Sequence, residues 1–332
     1  MSPDEQWLAM EIQGDIELSF APREGPPDEG RPILYALNLQ NFSYHSWTHD
    51  YWDYFETIWL ADNETIAYRN TLGLFTVSFT NATPQPLGDW VGNEKPAAFS
   101  LSPNGRFWAV GLYKQDLIFH DTLAKQTSVI TGVPLLYDIY DMAWAPSSRW
   151  FAAGPNLLIA NPQTLETIIL SEGYVPAWSP DSQWLAFETS NQEGIHKRSN
   201  SLYMWNAGNR EQQLIIDKYV EVLVPLWKPN TSDLAVGLRQ EGVSSLSLIS
   251  MPEGTIRSLY EVHEVIQMTP CTWSPDGEWL MFYMQDGERN ESGVYIIHQS
   301  GRGLYPLVES DGEIFAPTGA TRPPDGCFWL SQ

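Results

Sequence analysis

The densest run of side chains able to do chemistry is His45-Ser46-Trp47-Thr48-His49-Asp50-Tyr51-Trp52-Asp53-Tyr54. Imidazole and carboxylate suit zinc or manganese, so His45 and His49, with Asp50 beside them, form a candidate metal site. An i, i+4 pair comes within reach of one ion only on a helix, since on a strand the two lie about 13 Å apart, and this run reads as strand and loop. The remaining histidines, His120, His196, His263 and His298, are scattered along the chain. Trp47, Tyr51 and Trp52, flanked by Asp50 and Asp53, offer a second use. Aromatic rings beside carboxylates stack on a sugar ring or a partner side chain, and they equally serve to fill space beneath neighbouring strands.

Other chemistries find less support. Calcium is the better ion for an acidic chain, and Asp286-Gly287-Glu288-Arg289-Asn290-Glu291 comes nearest to a calcium loop. It lacks the alternating ligand ladder and reads as a solvated hairpin tip, so no cofactor is expected. There is no Gly-x-Ser-x-Gly elbow and no glycine-rich phosphate loop, and no catalytic residue is assigned. Paired carboxylates could act as acid and base on a glycan, but with 41 Asp+Glu no pair stands out. Asn-x-Ser/Thr sequons occur at Asn41, Asn63, Asn81, Asn230 and Asn290. Asn63 and Asn230 fall in tight turns that want asparagine for its backbone geometry, which favours chance over glycosylation.

The 41 acids stand against 18 Lys+Arg for a net charge of −23. Neutralising phosphates needs clustered cations, and the longest basic run is Lys197-Arg198, so nucleic acid and anionic membrane surfaces are excluded as partners. A cationic patch on a protein or glycan partner fits the charge better. With 43% hydrophobic residues the chain can bury a core, yet no run approaches the roughly 20 apolar residues of a membrane span. No basic segment followed by an apolar one marks a secretory signal. Two cysteines, Cys271 and Cys327, are too few for a disulfide framework, and the sequence does not say whether they pair.

The elements that must position any site are set by a repeat. Trp178-Ser179-Pro180-Asp181-Ser182-Gln183-Trp184-Leu185-Ala186 matches Trp273-Ser274-Pro275-Asp276-Gly277-Glu278-Trp279-Leu280-Met281 almost position by position. Weaker copies place the Asp or its equivalent at Asp4, Asp62, Asn104, Ser147, Asn230 and Asp325. The eight positions are separated by 58, 42, 43, 34, 49, 46 and 49 residues, the spacing of a four-stranded propeller blade. Within each phrase Pro presets φ, Asp or Asn bonds its own backbone, and Gly supplies φ > 0, which together specify a hairpin. The shortest unit shows the plan: Trp150–Ala153 as strand b, Leu157–Ala160 as c, Thr164–Leu170 as d, and Tyr174–Trp178 as strand a of the next blade.

These phrases resemble the WD40-like (PD40) repeats of TolB-type β-propellers over nearly the whole chain. The resemblance implies an all-β, single-domain β-propeller over 1–332, with four-stranded antiparallel blades. Seven blades are expected, with eight as the alternative, and a C-terminal strand near 314–321 is expected to enter the N-terminal blade and close the ring. It further implies an extracytoplasmic setting. The long b–c and d–a connections, around 23–30, 45–54, 191–200 and 285–292, would share one face with the channel mouth. The function expected is non-catalytic binding by a monomer through that face. The alternatives are a propeller enzyme, either a metal-dependent lyase or a glycan hydrolase at the channel mouth, and an accessory domain of a larger protein.

Overall fold

A computed structural model of the chain describes residues 2, 4, 6–12, 33–48, 57–70, 73–81, 83–87, 96–112, 116–132, 142–154, 156–170, 173–192, 198–219, 221–251, 253–264, 266–286 and 291–310. All regular structure among them is β. The chain divides into two compact units, Met1–Ile139 and Tyr140–Gln332.

The first unit carries three antiparallel sheets. Blade 1 pairs Trp7–Ile12, Ile33–Asn38 and Tyr44–Thr48 as strands b, c and d. Blade 2 runs Thr57–Trp59, Thr65–Asn70, Gly73–Ser78 and Gln85–Pro86; blade 3 runs Pro96–Leu101, Phe107–Leu112, Leu117–Asp121 and Gln126–Ile130. The second unit carries four sheets of four strands. They are blade 4 (Met142–Trp144, Phe151–Ala153, Leu158–Ala160, Thr167–Ile169) and blade 5 (Tyr174–Trp178, Trp184–Gln192, Arg198–Asn206, Gln212–Tyr219), followed by blade 6 (Glu221–Trp227, Asp233–Gln240, Val243–Ser250, Thr255–Val262) and blade 7 (Ile266–Trp273, Trp279–Asp286, Glu291–His298, Tyr305–Ser310). Seven meandering sheets are the blade set of a seven-bladed β-propeller, the expected count, and not the alternative of eight. The segment 314–321, Asp325 and Cys327 lie outside the described residues.

The ends of two expected loops prove to be strand, while 193–197 and 287–290 between them lie outside the described residues. In blade 5 the ladder continues to Gln192 opposite Arg198, and in blade 7 to Asp286 opposite Glu291. Polar residues such as Asn191 and Ser292 hide these extensions, because without apolar alternation a strand leaves no period-2 signal in the sequence. Likewise His45 to Thr48 belong to strand d of blade 1, not to a connection. The b–c connection of blade 6 is a two-residue turn, Glu241-Gly242, with φ of 51° and 81°. Positive φ at both positions is the primed hairpin geometry that matches strand twist.

Packing between neighbouring blades within each unit holds the sheets face to face. Trp205 is fully buried and meets Trp150 of blade 4 and Trp178 of its own blade edge-on, both with centroids 6.0 Å apart. Rings of this size remove about 150–250 Å² each from water, roughly 4–6 kcal/mol of gross burial apiece. Six tryptophans of the repeat phrase are core residues, Trp59, Trp108, Trp150, Trp178, Trp227 and Trp273, while Trp7, Trp144, Trp184 and Trp279 are half-buried.

Candidate functional site

The a–b and c–d hairpins lie at one end of every blade and the b–c and d–a connections at the other. At the first end the repeat phrase builds a closed hydrogen-bond unit. In blade 7 Ser274 Oγ donates to Asp276 Oδ1 at 2.6 Å and accepts the Trp279 N–H at 2.9 Å, while Asp276 accepts the Glu278 N–H at 2.9 Å. Asp181 with Ser179, Asp4 with Ser2 and Asn104 with Ser102 repeat it. The hydroxyl of Ser274, helped by the Glu278 amide, holds the Asp276 carboxyl below the usual range. Asp62 has no Ser partner; burial pushes its carboxyl up, but bonds from Thr65 and Glu64 outweigh this and lower it. The next position has φ > 0 in Asn63, Gly105, Ser148, Ser182 and Gly277. Blade 6 departs from the phrase: Lys228 replaces Ser, and the positive φ falls on Asn230. Lys228 is buried, extends its ammonium to Gln299 Oε1 of blade 7, and lies over the Trp273 ring at 5.8 Å.

A second repeat at this end escaped the sequence reading. Strand c closes on Asn38, Asp121, Asn161 or Asn206, whose side-chain oxygen accepts two backbone N–H groups of the c–d turn at 2.9–3.2 Å. The signal was an Asn or Asp ending each apolar strand c, an Asx-turn in the making. The two hairpins of a blade are then tied together, as by Gln299 N–H to Glu278 O at 2.8 Å and Ala207 N–H to Gln183 O at 2.9 Å. Asp121 also pairs with Arg106, side by side at 2.7–3.1 Å, and that guanidinium drives its carboxyl down to about 2.

The other end is less regular, and blade 5 concentrates its unusual features. A Cβ on Gly173 would fall 2.7 Å from Leu157 Cβ and 3.0 Å from Phe187 Cδ2, and one on Gly154 would fall 2.9 Å from the Gly173 carbonyl. The chain is thus pinned as it enters strand a. From that pin emerges Tyr174, 37% exposed, followed by Val175 with φ of 51°. A β-branched residue in the left-handed region is a true outlier, held at a cost of order 1–3 kcal/mol. The register shifts between Tyr174 and Ala177, a bulge that accommodates Pro176. Directly opposite Tyr174 stands Glu188, a buried carboxylate, and deeper in the blade fully buried Ser201 donates to Asp217 Oδ1 at 3.1 Å. Blade 7 brings a further buried carboxylate, Asp286, to the end of its strand b.

The residues singled out from the sequence are placed as follows. His45 stacks on Phe79 with centroids 4.3 Å apart and 13° between planes, and lies 5.5 Å from the Trp7 ring. Trp47, 7% exposed, runs nearly parallel to Phe79 at 6.2 Å. Both belong to an aromatic cluster packing blades 1 and 2. His49, Asp50, Tyr51, Trp52 and Asp53 lie outside the described residues. His298 contacts Glu278 through Nε2 at 3.1 Å, and His120 contacts Thr127 at 3.0 Å. Among the described residues no three His, Cys, Asp or Glu side chains converge as a metal site. Cys271 is disulfide-bonded.

Comparison with known proteins agrees on the fold class. No family model and no curated protein matches the chain. A solved chain of a mitotic checkpoint complex is 16% identical with a TM-score of 0.54, covering 76% of this chain and 78% of its own. Oligogalacturonate lyase from Vibrio parahaemolyticus is 13% identical with a TM-score of 0.50 over 77% of this chain and 73% of its own. Dihydro-heme d1 dehydrogenase, solved in complex with DHE, is 10% identical with a TM-score of 0.60 over 83% and 61%. The chain is a seven-bladed β-propeller, a scaffold that in these similar structures serves both enzymes and an assembly component. Fold alone does not choose among them.

Proposed function

We propose that the chain is a non-catalytic binding propeller of the WD40-like, TolB-type kind, and that the b–c and d–a end of blade 5 carries its recognition surface. The observation that carries the reading is Val175 in the left-handed region beside the exposed Tyr174 ring. Backbone strain in a rigid blade is retained where the geometry serves something other than stability. The net charge of −23 favours a cationic group on the partner. An exposed aromatic face such as that of Tyr174 receives a Lys or Arg side chain. The disulfide at Cys271 supports an oxidising, extracytoplasmic setting.

The test is thermal melting of the purified chain against basic peptides, neutral and acidic oligosaccharides, and zinc, manganese and calcium. A ligand that binds only the folded state raises the melting point by mass action. The reading expects a rise with basic peptides that is lost in Tyr174→Ala while the unliganded melting point is unchanged. A rise with manganese or zinc alone, indifferent to Tyr174→Ala, would overturn it.

A further inference from the structure

Of the sequons singled out from the sequence, side-chain geometry separates two from the rest. Asn41 and Asn81 are exposed in the c–d hairpins of blades 1 and 2, at the end away from the long connections. In each, Oδ1 accepts the N–H of the hydroxy residue two places on: Ser43 at 2.9 Å and Thr83 at 3.1 Å. This Asx-turn fixes the asparagine side chain through Oδ1, and Asn41, Ser43, Asn81 and Thr83 are all exposed, whereas Asn63 is half-buried. Asn63 is engaged differently. Its Oδ1 accepts the Asp4 N–H of blade 1 at 3.0 Å, and its backbone sits at φ of 60° in the a–b turn. Asn230 itself sits at φ of 56°, after Pro229, in the a–b turn closed by Lys228 N–H to Asp233 O. Asn290 lies outside the described residues.

We propose that Asn41 and Asn81 are N-glycosylation acceptor sites of the folded protein and that Asn63 and Asn230 are not. The co-reactant is a lipid-pyrophosphate-linked oligosaccharide with its transferase. Asn Nδ2 bonds to the anomeric carbon as the carbon–oxygen bond to the lipid pyrophosphate breaks; the lipid pyrophosphate leaves and the amide proton passes to a base of the transferase. The disulfide at Cys271 points independently to the oxidising compartments in which such transfer occurs. Glycans on these two hairpins would leave the opposite end of the blades open.

The test treats the purified, folded chain with a single-subunit oligosaccharyltransferase and its lipid-linked donor, followed by intact-mass and peptide mapping, with a heat-unfolded sample in parallel. Two glycan increments are expected on the folded chain, one removed by Asn41→Gln and the other by Asn81→Gln. Modification should reach Asn63 and Asn230 only after unfolding. Modification of Asn63 or Asn230 on the folded chain, or none at Asn41 and Asn81 while the unfolded chain is modified, would overturn the assignment. Melting of both Gln variants confirms that they fold.

Discussion

The indole N–H of Trp227 donates to the carbonyl of Ala177, 50 residues earlier in blade 5, at 2.9 Å. Trp178 makes the same bond to Ala143 of blade 4 at 3.2 Å. The tryptophan that ends strand a thus bonds the innermost strand of the preceding blade as well as packing against it. Trp273 is the built-in control, since its Nε1 is buried with no hydrogen-bond partner. Trp227→Phe should cost about 2–3 kcal/mol, combining a lost bond, an orphaned carbonyl and a small cavity. Trp273→Phe should cost distinctly less. Urea unfolding of the two variants checks the difference.

Gly301 and Gly254 occupy equivalent places in the c–d hairpins of blades 7 and 6, with φ of 82° and 71°. A Cβ on Gly301 would lie 2.9 Å from the Leu259 carbonyl, which is backbone and cannot yield, whereas one on Gly254 meets only Ile215 Cγ2 at 3.7 Å. Gly254→Ala should therefore cost about 1 kcal/mol from left-handed strain alone. Gly301→Ala should cost at least twice that, read as the shift in denaturation midpoint.

Asp121 caps its c–d hairpin and pairs with Arg106, so the two roles can be separated. Asp121→Asn keeps the cap, since Asn38, Asn161 and Asn206 perform it elsewhere, but loses the ion pair. Because the pair lowers the Asp121 carboxyl from 3.8 to about 2, its stabilisation is complete above the ordinary carboxylate range and is lost as pH falls through about 2. Melting between pH 5 and pH 2 should show a steeper acid decline in the parent than in Asp121→Asn. Parallel declines would mean that solvent screens the pair to nothing, as for many surface ion pairs.

Val175→Gly removes the penalty of the left-handed region at the cost of a more flexible unfolded chain. Its melting point should stay at or above that of the parent, while any ligand found for the blade 5 end should bind less tightly. A variant that both melts lower and binds as before would make Val175 an ordinary packing residue.

Strands b and c of blade 4 could be placed from the sequence to within a residue, and strand d with a start three residues too early, because its strands are short, apolar and separated by Gly154-Pro155-Asn156 and Asn161-Pro162, where local chemistry decides the turn. The Ser-Pro-Asp hairpins were legible for the same reason. What stayed hidden depends on partners distant in sequence. Nothing local announces that Lys228 takes the place of a capping serine and reaches Gln299, or that Gln192 pairs with Arg198 in the strand b–c ladder. The emphasis on His45 and Trp47 followed from residue type; packing against Phe79, more than 30 residues away, buries Trp47 and half-buries His45. Tyr174 and Val175 gave no signal because a positive φ at valine has no sequence signature.

The two-residue turn at Glu241-Gly242 is as short as a b–c connection can be, while at the far end the a–b and c–d hairpins of blades 1, 2, 3, 5, 6 and 7 are fastened to each other by a backbone hydrogen bond. Blade 6 is consequently a graft port. Foreign hairpins spliced between residues 241 and 242 would extend strands b and c in the way blade 5 already does, with the stitched end left untouched. The same asymmetry describes how such a chain diversifies: specificity can be rewritten from one end by changing hairpin length, without renegotiating the hydrogen bonds that fasten the other.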